Sequence, residues 1–211
     1  IRALNEGRCT LAGFHTQSQP TDVSHTAKAY RDLLKPGLHK IIGFATRTQG
    51  LITAPGNPKK IRNLSDVVTT QARFVQRSPG TGTRVLLDDL LSHDQLTTHA
   101  LNNTADEEPS HTALAEAIAS GRGDVGLGIE SSARTRGLGF VPLVQEQFHL
   151  VCLKSALDTP ATQALRALLQ ETTWHEALNT LPGYQVQDSG QVQSLNKQLP
   201  WWSFKRAKKT S

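Results

Sequence analysis

The sequence predicts an α/β fold with mostly parallel strands, and three observations carry that expectation. Short apolar runs alternate with longer stretches of helical periodicity along all 211 residues. Turn signals punctuate the junctions, as at Pro36-Gly37, Pro55-Gly56-Asn57-Pro58, Gly121 and Pro182-Gly183. Between Arg73 and Leu91 a short strand (Phe74, Val75) runs through a polar turn, Ser78 to Arg84, into a helix with apolar Val85, Leu86, Leu87, Leu90 and Leu91.

That turn also carries the strongest chemical signal. Gly80 and Gly82 let the backbone approach a ligand closely. The first N–H groups of the following helix have no partners inside it, and the helix start is partly positive, so an anion fits there. Thr81 and Thr83 add hydroxyls, and Arg84 adds a planar charged donor. An ordinary capped strand–helix turn accounts for the same residues. A P-loop is excluded, because no Lys follows the second glycine.

Composition bounds the rest. Hydrophobic residues make up 37% and charged residues 19%, the balance of a globular chain. Aromatics at 5% leave no base-stacking platform. The net charge of +5 includes Lys205, Arg206, Lys208 and Lys209, read as a solvated end and not as a nucleic-acid arm. Cys9 and Cys152 lack metal-ligand spacing, and a disulfide between them cannot be read from sequence. No stretch is long or apolar enough to span a membrane. The chain opens without Met or a signal peptide and reads as a piece whose N-terminus lies upstream, with a cytoplasmic home favoured over a periplasmic one.

Taken in order, Ile1 to Gly7 ends a helix with Gly7 as its C-cap, and Cys9 to Phe14 is a strand. A loop from His15 to Asp22 follows. His15 and Thr16 sit where strand becomes loop, a place of ligand contacts in α/β folds, although loop solvation explains them equally. Thr26 to Leu34 is helical. His39 to Ala54 reads as two strands with a kink at Thr46 to Gly50, and Ile61 to Val68 as a short capped helix. Ser92 to Pro109 is polar and loop-rich, with room for one short strand. Ser110 caps a helix from His111 to Ala119. Asp124 to Ile129 is a buried strand delivering Glu130, and Ser131 to Arg136 is a helical segment. Phe140 to Leu143 and Gln147 to Leu153 are strands joined by a linker. Helices run from Thr159-Pro160 to about Leu169 and from Trp174 to Leu181, and Pro200-Trp201-Trp202 docks as an apolar plug.

Several of these stretches resemble one family: Leu11 to His15, Arg47 to Ile52, Pro55 to Pro58, Phe74 to Arg77, Gly80 to Asp88, Gly121 to Glu130, Phe140 to Leu143, and Pro200 to Trp202. Their order is similar to that of the periplasmic-binding-protein-like (type II, molybdate-type) domain, as fused to helix-turn-helix regulators and molybdenum-cofactor biosynthesis proteins. The resemblance implies a two-lobe fold with a central ligand cleft. Lobe 1 would comprise residues 1–53 and 146–211, and lobe 2 residues 54–145, with crossing strands near Gly50 to Ala54 and Gln145 to His149. It also implies a strand and a Gly-Ser turn ahead of Ile1 that this sequence does not include. Weaker binding than in a longer chain, or self-association along Leu11 to Phe14, is the expected consequence.

The expected ligand is a small oxyanion, with molybdate or tungstate implied by the resemblance. Its candidate partners are Thr81, Gly82, Thr83 and Arg84 first, then Thr46, Arg47 and Gln49, then Ser110, His111 and Thr112, with Thr16 beside them. A polar kink explains the second group as well, and plain helix capping explains the third. Glu130 would orient Arg84 or Arg47, or lie on the surface. The eight histidines lack metal-site spacing and Ser131 lacks a nucleophile-elbow context, so a binding module without cofactor is expected rather than an enzyme. The alternative is a regulatory domain that senses an organic ligand or none. A DNA-binding domain would then lie outside this chain, and a homo-oligomer fits either reading.

Overall fold

The computed structural model describes residues 1–18 and 21–204. The expected solvated tail at 205–211, and part of the expected loop after His15, lie outside the described residues. In chain order the elements are α1 (Arg2–Asn5), β1 (Leu11–Gln17), α2 (His25–Tyr30), β2 (His39–Thr53), α3 (Leu64–Thr69) and β3 (Arg73–Arg77). Then come α4 (Gly82–His93), β4 (Asn102–Glu108), α5 (His111–Ala119), β5 (Val125–Ile129), α6 (Glu130–Arg134) and β6 (Gly139–Leu153). The chain continues with α7 (Pro160–Leu168), α8 (Thr172–Asn179), β7 (Tyr184–Gln185), β8 (Val192–Ser194) and α9 (Leu195–Gln198).

Side-chain caps set several helix starts: Ser24 accepts from the Ala27 N–H at 3.0 Å, Asn63 from Asp66 at 2.8 Å, and Ser110 from Ala113 at 3.0 Å. Pro160 opens α7, where a missing N–H costs nothing. None of the described helices is long and apolar enough to cross a membrane.

The chain divides into two compact units. The first comprises Ile1–Arg47 and Glu146–Ser211, and the second Thr48–Gln145, so both division points fall inside strands, β2 and β6. In the first unit β1 pairs antiparallel with β6, while β2 pairs antiparallel with β7 and β8. Its core joins Leu4, Phe14, Ile41, Val151, Leu195 and Trp202. Trp202 is thus the docked half of the expected plug, whereas Trp201 remains 41% exposed. Cys9 and Cys152 are both free, and burial pushes the Cys152 thiol up.

The second unit is a sheet covered on both faces. Alternation sends Leu51, Phe74, Val125 and Leu127 to one face, where they pack with Leu64, Leu86, Leu87 and Leu91 of α3 and α4. Ile52 and Val75 point the other way, onto Leu114, Ala117 and Ile118 of α5 and Ala133 of α6. Gly50 permits a close approach: a Cβ there would lie 2.2 Å from the Val141 carbonyl oxygen.

Several expected boundaries change. β2 and β6 are each one unbroken strand of 15 residues, not pairs of strands separated by a kink or linker. The backbone needs no break at the polar stretch because β7 pairs with Thr46 and Arg47, and β5 takes over from Gln49. His15 and Thr16 lie within β1, where β6 pairs with them. The loop-rich section after Ser92 does hold one short strand, β4, a polar strand that among the described residues pairs only with β3 at the end of the strand order, so it needs no alternating apolar face to form. Among the described residues, parallel pairing joins β3 to β4 and β5, while the ladders of β1–β6, β2–β5, β2–β7 and β2–β8 are antiparallel. The expectation of mostly parallel strands is therefore corrected. Gly50→Ala should lose about 1–3 kcal/mol of stability through overpacking against a backbone oxygen. Denaturant unfolding measures it, and an unchanged midpoint would show that Val141 yields freely.

Candidate functional site

In the second unit the strand registers gather polar residues at one end of the sheet. Val75 stands opposite Gly126 in parallel register, and Gln49 opposite Ile129 in antiparallel register. Counting onward from Val75, Ser78 comes level with Ile129 and Gln49. At this end β3 leaves the sheet through the turn into α4, with Gly80 at a φ of +78°, which suits glycine.

Thr81 is the N-cap of α4. Its hydroxyl donates to the Ser78 carbonyl at 2.8 Å and accepts from the Arg84 N–H at 3.4 Å, so it shapes the turn. Gly82 opens the helix. The Thr83 hydroxyl lies 3.3 Å from His111 Nε2 and links the first turns of α4 and α5. Among the described residues Arg84 Nη1 is buried without a hydrogen-bond partner, and its nearest acid, Glu107, stands 4.0 Å away. Ser110 is occupied as the α5 cap, and Thr112 is exposed on the same turn. Glu130 does not orient an arginine of the site: among the described residues its hydrogen bonds come from Arg134, at 3.0 Å within its own short helix. That spacing of four residues along a helix favours the local pair.

Two residues gain significance only from the structure. Arg77 donates to the carbonyls of Glu108 and Pro109, each at 3.0 Å, and so ties β3 to the approach into α5. Polar Gln76 and Arg77 closing a strand after the apolar pair Phe74-Val75 were the available signal. Gln76, one residue earlier, has a buried Oε1 without a hydrogen-bond partner. Gln49 is 0% exposed, and neither Oε1 nor Nε2 has a hydrogen-bond partner among the described residues. Away from this end, a cavity of 390 Å³ runs along β4, lined by Arg73, Asn103, Thr104 and Arg122 among others. Both its arginines are already matched, Arg73 to Asp124 at 2.7 Å and Arg122 to Glu108 at 2.8 Å.

The remaining candidates belong to the first unit. Arg47 donates from Nε to Glu146, which is 1% exposed, and its guanidinium lies 5.0 Å above the Phe148 ring. Burial opposes the Arg47 charge, but the neighbouring Glu146 carboxylate and Tyr184 together prevail and raise the guanidinium above its usual value. With that charge already matched, Arg47 serves the fold before any ligand. Thr46 donates to the Gln185 carbonyl at 3.4 Å and borders a void of only 10 Å³, room for a water molecule. His15 Nδ1 stands 3.1 Å from the second Glu146 oxygen, and Thr16 Oγ1 3.3 Å from His149 Nε2. Among the described residues no group of three or more His, Cys, Asp or Glu is placed to hold a metal ion.

Burial first, and then His15, lower the His149 pKa from 6.5 to about 4, against the pull of Glu146. Above pH 6.5 the imidazole is neutral in the folded and unfolded chain alike, and its contribution to stability is complete. As pH falls from 6.5 towards 4 the unfolded chain takes up the proton first, so that contribution drains away, on the order of 3 kcal/mol. Unfolding followed between pH 7.5 and 4.5 should therefore show a steeper loss than in His149→Gln; parallel curves would remove His149 as the cause.

Comparison with known proteins agrees with this architecture. The PBP superfamily domain matches residues 1–170. The uncharacterized protein YvgK of Bacillus subtilis (strain 168) is 28% identical over 189 residues, covering 90% of this chain and 60% of YvgK. The chain thus spans under two-thirds of that relative's length. A putative phosphate ABC transporter substrate-binding protein with bound phosphate from Clostridium perfringens aligns at a TM-score of 0.63 and 14% identity, over 88% of this chain and 83% of that one. The regulatory domain of NMB2055 (MetR), a LysR family regulator from N. meningitidis, aligns at 0.58 and 12% identity, over 87% and 80%. At such identities the structural likeness is one of fold. The family match, covering most of the chain, carries more: the chain belongs to the PBP superfamily domain family.

Proposed function

We propose that this chain binds a small anion, an oxyanion in the first instance, at the start of α4 in the second unit. The observation that carries the reading is Arg84, whose buried Nη1 has no hydrogen-bond partner among the described residues and belongs to the first turn of α4, the partly positive end of a helix. A buried donor left alone costs stability, and an anion there would satisfy it while meeting the helix dipole. The Thr81 cap and the Thr83–His111 contact hold the two helix starts in place around it. Molybdate and tungstate are the tetrahedral dianions we propose to test alongside sulfate and phosphate. The role is binding without turnover. The fold shared with a LysR regulatory domain favours a second reading in which such binding is sensing. Its output would then come from residues outside this sequence, a DNA-binding domain being the partner class.

Two outcomes follow from Arg84 and mass action. An anion at a hundred times its Kd adds about 2.7 kcal/mol to the folded state, which raises Tm by roughly 5–10 °C for a chain of this size. A panel of oxyanions in a thermal-shift assay reads this, and a flat response across the panel would refute anion binding. Arg84→Ala should weaken the bound anion by about 1–3 kcal/mol, the scale of a charge-assisted hydrogen bond. Titration calorimetry on the folded variant checks it; unchanged affinity would place the site elsewhere.

A further inference from the structure

Gln49 adds a constraint on what the anion must be. Its side chain leaves β2 on the same face as Leu51, two residues on, and Leu51 packs with Leu86 and Leu87 of α4. Its register partner Ile129 brings it level with Ser78, where the turn into α4 begins. Gln49 is therefore directed to the face and the end of the sheet at which α4 starts. β5 lies between β2 and β3, so the two backbones are roughly 10 Å apart there, a gap that one small ligand and two side chains span.

The amide is 0% exposed and unpartnered at both Oε1 and Nε2 among the described residues, so an exchange of its oxygen and nitrogen would change nothing. Two further groups at this end of the sheet share this condition among the described residues. Gln76 presents a buried acceptor without a partner, and by strand alternation it faces the α4 side with Phe74. Arg84 presents the buried donor Nη1. The end of the sheet thus holds lone donors on Arg84 and Gln49 together with lone acceptors on Gln49 and Gln76. A fully ionised tetrahedral anion, such as sulfate or molybdate, accepts hydrogen bonds only. It would satisfy the donors and leave both amide oxygens buried and unpaired.

Resting on the anion site proposed above, we infer that Gln49 sets its specificity and that the ligand is an anion carrying its own O–H group. The hydroxyl donates to a buried amide oxygen, while the anionic oxygens accept from Gln49 Nε2, Arg84 and the helix start. Protonated oxyanions and hydroxy acids share this chemistry.

The test is a set of calorimetric titrations at pH 7 with matched pairs: phosphate against sulfate, and glycolate against acetate. Wild type should prefer the O–H member of at least one pair by about tenfold or more, since a site built to pair a hydroxyl rejects the analogue lacking it. Preference within the first pair assigns a protonated oxyanion, and within the second a hydroxy acid; either supports the inference. Gln49→Leu should shrink that preference to within about threefold by removing the amide. Equal binding within both pairs by wild type would overturn the inference without needing the variant, as would a preference that survives Gln49→Leu. If sulfate binds, weakens in Arg84→Ala and matches phosphate, the anion site stands and only the role of Gln49 falls. If no anion in the set binds, both fall together.

Discussion

Strand register in the second unit is the constraint on which the candidate site depends. β3 and β5 are parallel, and β2 runs antiparallel to β5, so the carboxyl ends of the first two meet the Gln49 end of the third. That pairing brings to one edge the starts of α4 and α5, the Arg77 tie and the Gln49 amide. A shift of one residue in β2 would turn Gln49 to the other face and expel Leu51 from its cluster, because side chains alternate with a period of two. The apolar core therefore fixes the polar site: Leu51, Leu127 and Phe74 hold the register that orients their neighbours.

Two arginines, each preceded by a threonine, sit in opposite electrostatic settings. Arg47 is matched by a carboxylate that is itself 1% exposed, and the pair shares its site with His15 and the Phe148 ring. Removing either partner would strand a buried charge, which makes the pair a condition of folding in the first unit. Arg84 has an acid only at 4.0 Å and keeps a buried donor unpaired. A charge that is largely sheltered and incompletely matched has attraction left to give to a ligand.

Unpaired polar atoms at Gln49, Gln76 and Arg84 carry a cost in the free chain, since buried donors and acceptors are almost always satisfied. Their gathering at one end of one sheet is what the proposed ligand would use, because completing the hydrogen bonds would recover that cost on binding. The stable parts of the second unit surround this end with apolar clusters on both faces. Such a scaffold holds the polar groups in place without using them.

Much of the local structure was legible in the sequence, because its causes are local. Asn63, Ser110 and Pro160 mark helix starts through hydrogen bonds or backbone angles spanning three or four residues, and the strand–turn–helix around Gly80 follows from the same rules. The continuity of β2 and β6 was not legible, since the partners that carry a polar run through a strand come from β7, β1 and β5, far away in the chain. Arg47 stood second to Arg84 as a ligand candidate, and only the fold placed Glu146, 99 residues later, beside it. Glu130 looked available until the α6 turn supplied Arg134. By itself the sequence determined the α/β class, the caps and the turn before α4, which short-range sterics and hydrogen bonding dictate. Which polar side chains are buried, which are paired and which are left for a ligand was decided by tertiary structure alone, because that depends on strand register and on partners distant in sequence.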